Sequence, residues 1–522
     1  MIRPIPYAAV FPRFSLMLAL VLIMVAAPCA RAVPLEPQQQ AVHVLNRLAF
    51  GPRPGDVERV AEVGVQRWID EQLHPEAIAL PPALAARLQR LDSVNRSAGA
   101  SLAEFLELRK EAKDEGEEAK QRRRQRQALI EREAAEARLL RAIDSPRQLE
   151  EVMVDFWYNH FNVFAGKGID RALVASYERD AIRPHALGRF RDLLGATARH
   201  PAMLFYLDNA VSRAGGVNEN YARELMELHT LGGDGGYTQK DVSELARMLT
   251  GWTFDQRRLA ASGETFRFDA KRHDRGAKTW LGQTIEADGQ REGERALDVL
   301  ALHPTTARHV SRRLAQYFVS DDPPAALVER MTAAWRAGGG DIRTVLRTLF
   351  ASPEFMSAEA LGAKFKTPYQ FVVSAARAGA VQVANVAPLT GAMNQLGMPL
   401  YGCQTPDGYK NTQDAWLNPD ALTRRIAFAS SLAGGRLALD AAPVAPVPDT
   451  TPPGSDRMVP APRPAPVPAA APKPAPMPPL DPAQLQATLA GSISGRTLGI
   501  TRQHPENLRA AMLLGSPDFM QR

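Results

Sequence analysis

Cysteine is almost absent from this chain, whose 522 residues include only Cys29 and Cys403. Cys29 lies in an N-terminal segment that we expect to be removed, which leaves Cys403 alone. A single cysteine excludes an internal disulfide framework, so stability has to come from a large apolar core, which a chain of this length can bury. The lone thiol also has no evident catalytic partner in the sequence.

Long apolar runs and a strong net charge are missing as well. Beyond residue 32 no segment approaches about 18 consecutive apolar residues, so we expect no transmembrane segment in the mature chain. The formal net charge is +6, of which the N-terminal segment supplies Arg3, Arg13 and Arg31 and no acid, so the mature value is +3. Such a balanced charge does not favour nucleic acid as a partner.

The common sequence signatures of catalytic and nucleotide sites are absent too. The chain has no G-x-S-x-G nucleophile elbow, no P-loop, and no G-x-G-x-x-G after a predicted strand. Any chemistry must therefore come from residues that the fold brings together.

The first 32 residues have the order of a secretory signal peptide. Arg3 and Arg13 precede an apolar run over 14–27, and Ala30-Arg31-Ala32 supplies small residues for a signal peptidase. The apolar run is shorter than the roughly 20 residues that span a bilayer. We therefore expect cleavage after Ala32 and a periplasmic or secreted protein exported by the general pathway.

Apolar residues recur at helical spacing through most of the remaining sequence. This pattern predicts a mainly α protein with one large multi-helix core domain over 33–441, and one small β-hairpin at about 264–285. Gly232 is predicted to end a helix in the left-handed conformation. Thr305 and Thr367 are predicted to cap the starts of two others.

Two regions look like additions to this core. Residues 101–143 are highly charged and predict either one long helix or a helical hairpin, with Gly116 at its kink or tip. Residues 442–482 are rich in proline and alanine and predict a disordered, flexible linker. The last stretch, 483–522, regains helical character and is predicted to pack back on the core.

Polar side chains are concentrated between residues 208 and 229. Asp208, Asn218 and Asn220 are suited to capping helices and bracing loops, so we predict a structural polar hub. Oxygen ligands of this kind also suit calcium, although their spacing matches no EF-hand loop. Both interpretations stay open at the level of sequence.

The helix that follows carries candidate catalytic residues, namely Arg223, Glu224 and Glu227. His229 falls in its last turn, where a cation offsets the helix dipole and where an imidazole could also bind a metal. In an α-helix Glu227 and His229 lie about 200° apart, so this helix alone does not supply a metal site.

Further candidate metal ligands lie in other segments. His160 sits among aromatic residues in a predicted helix, and His273-Asp274 lies in a polar turn. With His229 they would make a set of histidines and a carboxylate that suits zinc with one open position. The alternatives are a core imidazole bonded to a carbonyl for His160 and a surface role for His273.

Three aromatic residues mark the predicted long loop that begins near residue 398. Tyr401, Tyr409 and Trp416 would suit a stacking platform for sugars, or would pin the loop to the core.

Several motifs resemble the bacterial "domain of unknown function 1800" family. The most specific is Asn218-Glu-Asn-x-Ala-Arg-Glu-Leu-x-Glu-Leu-His229-Thr-Leu-Gly, and others are Phe156-Trp-x-x-His160-Phe, His273-Asp274 and Lys366-Thr-Pro368. The resemblance covers nearly the whole mature chain and implies an exported, mainly helical bacterial protein. It also implies a candidate partner, an exported alkaline-phosphatase/sulfatase-like protein encoded nearby, but no reaction.

Two functions are compatible with these observations. The first is a metal-dependent hydrolase outside the cytoplasm, with His160, His229 and His273-Asp274 around a zinc or calcium ion and Glu224 or Glu227 as ligand or general base. The second is a non-catalytic helical scaffold that binds an exported partner protein or an envelope polysaccharide.

Overall fold

The computed structural model describes residues 35–114, 116–440 and 477–522. The predicted signal peptide, its cleavage site and most of the Pro/Ala-rich segment, over 441–476, lie outside the described residues. Within them, helices dominate and the strands form two small antiparallel pairs. The predicted mainly helical fold class is confirmed. None of the described helices combines the length and the apolarity needed to cross a bilayer.

In the first half of the chain, the described residues form thirteen α-helices. They are α1 Pro37–Arg47, α2 Asp56–Val63, α3 Val65–Gln72, α4 Pro82–Gln89, α5 Asp92–Asn95, α6 Ala98–Asp114, α7 Glu117–Asp144, α8 Gln148–His160, α9 Asp170–Ser176, α10 Phe190–Arg199, α11 Pro201–Tyr206, α12 Asn220–Glu224 and α13 Gln239–Met248.

The second half contains thirteen more among the described residues. They are α14 Gln256–Ser262, α15 Gln290–Leu302, α16 Pro304–Phe318, α17 Ala325–Ala337, α18 Ile342–Phe350, α19 Pro368–Ala378, α20 Ala387–Gln395, α21 Gln413–Trp416, α22 Pro419–Ala433, α23 Pro482–Thr488, α24 Gly495–Arg502, α25 Glu506–Leu514 and α26 Pro517–Met520.

Two of these helices continue into wider turns. Tyr177–Ile182 extends α9 as a π-helix, and Leu225–Thr230 extends α12 in the same way. Short 3₁₀ turns occur at Pro75–Ala77, Arg183–His185 and Asn209–Val211. The π-turn at 225–230 changes the direction of the side chains that the sequence placed on an ordinary α-helix.

The strands differ in detail from the single predicted hairpin. β1 Trp252–Thr253 pairs with β2 Arg267–Phe268, and β3 Lys278–Trp280 pairs with β4 Gln283–Ile285. The region 264–285 therefore supplies strands to two sheets. Trp252 is buried and its ring centroid lies 5.2 Å from that of Phe266, a contact that holds β2 beside β1.

The charged region 101–143 forms two packed helices, α6 and α7. Gly116 lies between them with φ of +85°, a conformation that favours glycine. The guanidinium of Arg126 on α7 bonds to the Glu104 carboxylate on α6 at 2.6 Å. Of the two predicted forms, the structure shows the helical hairpin.

An ion network is buried where α7, α8 and the π-helix Tyr177–Ile182 meet. Arg138 contacts Asp155 at 2.6 Å and Glu178 at 3.3 Å. Arg183 contacts Glu151 at 2.8 Å and Glu178 at 3.2 Å. Burial disfavours a charged guanidinium, but Glu178 and Asp155 outweigh it and raise the pKa of Arg138. The network therefore holds α7 and the π-helix Tyr177–Ile182 against α8.

The C-terminal helices contact the earlier part of the chain. α25 packs against α22, and Gln521 forms an antiparallel bridge with Phe365. The bridge places the last described residues beside the segment that leads into α19, whose side chains are all buried.

Candidate functional site

Three histidines from separate elements lie together in the interior. His160 ends α8, His229 lies in the π-helix Leu225–Thr230, and His309 lies on α16. The Nε2 of His160 is 3.1 Å from the carbonyl oxygen of His229, and their ring centroids are 6.1 Å apart. A backbone hydrogen bond links His309 to Leu228. The sequence indicated the first two histidines and missed His309.

Burial keeps these imidazoles neutral. Burial, and then the charge of Arg313, lowers the pKa of His229 to about 3 and that of His309 to about 4. The pKa of His160 is lowered by the same two causes. One ring nitrogen of each has no hydrogen-bond partner, namely Nδ1 of His160, Nε2 of His229 and Nε2 of His309. Near pH 7 the positive charge beside them is therefore that of Arg313.

Arg313 connects the histidines to a polar cavity of about 270 Å³. Helices α8 and α16, the start of α19 and the loop after residue 397 build the wall of this cavity. Its lining residues are Asp155, Phe156 and Asn159 of α8; Arg313, Gln316 and Tyr317 of α16; Thr367; Met398; and Asp407, Tyr409, Lys410, Asn411 and Thr412 of the loop.

Arg313 is a half-buried cation without a bonded counter-ion. Among the described residues its guanidinium makes no hydrogen bond and no ion pair, and burial lowers its pKa despite the attraction of Asp407. Its neighbour Arg312 points to the surface, where it contacts Asp322 at 3.2 Å. The two adjacent arginines thus have opposite environments, and only Arg313 faces the cavity.

The loop that closes the cavity is held by α8. The Asn159 amide donates to the Tyr409 carbonyl at 2.8 Å, and the Tyr409 N–H donates to the Asn159 oxygen at 2.7 Å. Gly408 has φ of +70°, and a Cβ there would collide with the Asn159 carbonyl oxygen. The close approach of loop and helix therefore requires glycine at 408.

The aromatic residues of this loop form hydrogen bonds that hold the loop in place. Tyr401 is buried and donates to Glu178 at 2.8 Å, and Trp416 is buried and donates to the Lys410 carbonyl at 2.8 Å. Tyr409 donates to the Pro399 carbonyl at 2.9 Å and is the one of the three that lines the cavity. The ring centroids of Tyr409 and Trp416 lie 6.1 Å apart, and a stacking platform for sugars stays a prediction.

Carboxylates near the cavity have different environments. Burial raises the pKa of Asp155 although Arg138 is bonded to it. Burial also acts to raise the pKa of Asp407, but hydrogen bonds from Lys410 and Thr405 outweigh it and the pKa is lowered. Burial and the nearby charge of Glu227 raise the pKa of Glu224, with a smaller contribution from Asp407. The predicted catalytic residues Glu224 and Glu227 are close to each other and do not line the cavity.

The residues of the predicted polar hub and the neighbouring Arg223 contact different partners. The Asn218 oxygen accepts the Asn220 N–H at 2.9 Å, and Asp208, at φ of +60°, contacts Lys167 at 2.7 Å. Arg223 bonds to Glu219 at 3.1 Å and to Gln239 at 2.9 Å. The Asn218 contact braces the loop before α12. Asp208 precedes the 3₁₀ turn Asn209–Val211 but makes no side-chain cap hydrogen bond to it.

His273 and Asp274 belong to another network. The His273 Nδ1 is 2.8 Å from the Thr250 carbonyl, and its Nε2 is 3.0 Å from Glu292. Asp274 pairs with Arg247 at 2.9 Å, which lowers its pKa to about 2. His273 is buried, so a surface role is wrong.

Within 35–114, 116–440 and 477–522, no three or more His, Cys, Asp or Glu residues are placed to hold a metal ion. The structure thus brings His160 and His229 together. His273 and Asp274 are bonded instead to Glu292 and Arg247.

A family model described as "Protein of unknown function (DUF1800)" matches residues 43–521. The chain belongs to this family. No curated protein and no solved structure matches the chain. The histidine cluster, Arg313 and the cavity all lie inside the DUF1800 region, so its function has to be argued from their geometry.

The most specific DUF1800 motif contains the π-helix Leu225–Thr230. π-Turns are rare and occur frequently at functional sites. Here the wide turn places His229 against His160 and Phe161, whose ring centroid is 5.0 Å from that of His229. On an ordinary α-helix Glu227 and His229 would face in different directions. The residue pattern does not indicate an i→i+5 turn, so the sequence did not predict the contact of His229 with His160.

Proposed function

We propose that this protein binds a small polar ligand carrying a carboxylate or similar oxyanion, and that Arg313 anchors it. The observation that carries the proposal is the unpaired guanidinium of Arg313 in the wall of a polar cavity. A partly buried cation is costly when it lacks a partner. A planar guanidinium can donate two parallel hydrogen bonds to one oxyanion. A bound oxyanion would therefore be the counter-ion that Arg313 lacks.

A second unsatisfied group favours a ligand that also carries a hydroxyl or amino group. The side-chain oxygen of Asn411, in the same wall, is buried and has no hydrogen-bond partner. It accepts hydrogen bonds, whereas Arg313 donates them. A cavity of about 270 Å³ is small compared with drug-sized sites, which favours a single hydroxy-acid or sugar-acid unit.

This proposal is closer to the scaffold prediction than to the hydrolase prediction. An acidic sugar unit of an envelope polysaccharide carries both an oxyanion and hydroxyl groups. Metal-dependent hydrolysis stays a prediction: His160 and His229 are adjacent and each keeps one unpartnered ring nitrogen, while His273 is engaged by Glu292. An exported partner protein also stays a prediction, supported by the family resemblance.

The binding test uses paired variants of adjacent arginines. Wild-type protein, Arg313→Gln and Arg312→Gln are titrated with glucuronate, lactate and acetate at one ionic strength, and the shift in melting temperature is followed. A charge-assisted hydrogen-bonded pair contributes about 1.5–3 kcal/mol, so Arg313→Gln should weaken binding by roughly 10- to 100-fold. Arg312→Gln should bind as wild type does. Equal weakening in both variants would show a general charge effect and count against the cavity.

We also propose that the protein works outside the cytoplasm, because residues 1–32 have the order of a cleavable signal. Expression in a Gram-negative host followed by fractionation should place the protein in the periplasm or medium, with Val33 at its N-terminus. A full-length cytoplasmic product in the same cells, beside a correctly exported reference protein, would contradict export.

A further inference from the structure

A second cavity, of about 370 Å³, lies at the start of α8. Its wall combines apolar and charged side chains. The apolar part is made by Pro75, Pro184, Ala186 and Leu187, and the charged part by four arginines and two glutamates. None of these residues lines the Arg313 cavity. Binding sites for small molecules commonly pair an apolar wall with a few placed polar groups, so the charged groups decide what this cavity can bind.

Three of the four arginines in the wall are already paired with carboxylates. The ion pairs are Arg179–Asp180 at 2.6 Å, Arg183–Glu151 at 2.8 Å and Arg343–Glu76 at 3.1 Å. The last of them also occupies one of the two glutamates of the wall. The charged groups that remain for a ligand are Arg147 and Glu150.

Arg147 is held in place with two donors free. Its Nε donates to the Ile78 carbonyl at 2.6 Å, which fixes the guanidinium at the cavity. Among the described residues it forms no ion pair, and its Nη1 and Nη2 donate to no acceptor. Neither nitrogen is one of the buried atoms that lack a partner, so a molecule in the cavity can reach both.

Glu150 is the matching free acceptor. It is partly buried, and its carboxylate forms no hydrogen bond and no ion pair with the part of the chain that the structure describes. Burial, and then the charge of Glu151, raises the pKa of Glu150 although three arginines attract its charge. Its oxygens are not enclosed, so a cation in the cavity can contact them and would favour the charged form.

The two free groups are close along the chain. Arg147 directly precedes α8, and Glu150 lies in its first turn. Side chains three residues apart on a helix have Cβ atoms about 5–6 Å apart, so both can contact one small ligand. The ligand has to carry an anion and a cation on neighbouring atoms. An α-amino acid does so, because its ammonium and carboxylate groups are attached to the same carbon atom.

We infer that this second cavity binds a free α-amino acid with an apolar side chain. The Arg147 guanidinium donates to the carboxylate, and the Glu150 carboxylate accepts from the α-ammonium. The apolar part of the wall covers the ligand's side chain. A zwitterion brings no net charge, which suits a site whose two unpaired groups have opposite signs.

The test follows the melting temperature during titration with leucine, N-acetylleucine and leucinamide at constant ionic strength. N-acetylleucine lacks the ammonium group and leucinamide lacks the carboxylate. All proteins carry Arg313→Gln, so that carboxylate binding in the first cavity, or its failure, does not affect the result. A ligand that binds only the native state raises stability as its site fills. We expect a saturable rise with leucine, and binding of the other two weaker by roughly tenfold or more.

Two further variants assign each ligand group to its partner. With Arg147→Gln, leucine should bind no more tightly than leucinamide. With Glu150→Gln, it should bind no more tightly than N-acetylleucine. Each comparison is between two ligands of one protein, so a change in stability alone does not affect it.

The controls are Arg90→Gln and Glu62→Gln, which change exposed residues outside the cavity wall and should keep the preference for leucine. Three results would overturn the inference. They are the absence of a saturable response to leucine, an unchanged preference in Arg147→Gln or Glu150→Gln, and binding of the dipeptide leucylglycine as tight as that of leucine.

Discussion

Replacing Arg138 by methionine is expected to lower the free energy of unfolding by about 3–5 kcal/mol, the usual cost of removing one partner of a buried ion pair. The side chains of Arg138, Asp155 and Glu178 are all less than 10% exposed. Without the guanidinium, Asp155 loses the one ion pair that it makes among the described residues, while Glu178 keeps Arg183. The change also removes the cation that lies 5.1 Å from the ring centroid of Tyr158.

Urea unfolding, followed by tryptophan fluorescence, measures this loss as a shift in the midpoint. Arg124→Met is the control, because Arg124 lies on the same helix and is exposed, and such changes usually stay within about 0.5 kcal/mol. Adding Asp155→Asn to Arg138→Met should recover part of the stability, because the stranded carboxylate is then neutral. A loss below about 1 kcal/mol for Arg138→Met would show that water reaches this network.

Lys278→Met is expected to have an effect of similar size, about 3–5 kcal/mol at pH 7. The Lys278 ammonium is 2.7 Å from Glu292, and both side chains are fully buried. Burial acts to raise the pKa of Glu292, but hydrogen bonds from Lys278 and His273 outweigh it, and the pKa is lowered.

The sign of the pH dependence follows from that lowered pKa. A carboxyl group with a depressed native pKa stabilises the fold above its unfolded pKa, about 4.3, and loses this contribution as pH falls through the native value. Lys278→Met should raise the native pKa of Glu292. The loss in free energy of unfolding of this variant, relative to wild type, should therefore become smaller as the pH falls from 7 to about 4. Urea midpoints at both pH values, with exposed Lys271→Met as control, measure the difference. A deficit that grows on acidification would contradict this account.

Much of the fold could be predicted because its signals are local. Thr367 caps α19, with Pro368 at the first helical position, as the sequence indicated. Gly232 ends its helix at φ of +85°, also as predicted. The cap predicted at Thr305 was wrong: α16 begins earlier, at Pro304, and the His303 ring accepts the Thr305 N–H at 3.2 Å. A histidine cap is uncommon, so residue preferences pointed to the threonine.

The strand pairing and the site depended on distant contacts. The alternation near 267 and 280 indicated strands, but it did not show that Arg267–Phe268 pairs with Trp252–Thr253, where Trp252 is buried. His160 and His229 stood out in specific motifs, so the sequence could indicate them. The sequence of the helix does not show which of the adjacent arginines, Arg312 or Arg313, faces a cavity. The difference arises only because the loop at 398–412 packs on the side of Arg313. Whether a charged side chain has a counter-ion depends on the residues that the fold places around it, so the sequence pattern does not predict it.

Direct calorimetric titration tests the central claim that Arg313 anchors an oxyanion in the cavity. Glucuronate, or whichever hydroxy acid gives the largest shift in melting temperature, is titrated into wild-type protein, Arg313→Gln, Arg313→Lys and Arg312→Gln. The account predicts one site per chain in the wild type, binding weakened at least tenfold in Arg313→Gln, partial recovery in Arg313→Lys, and no change in Arg312→Gln. Wild-type affinity in Arg313→Gln would contradict it.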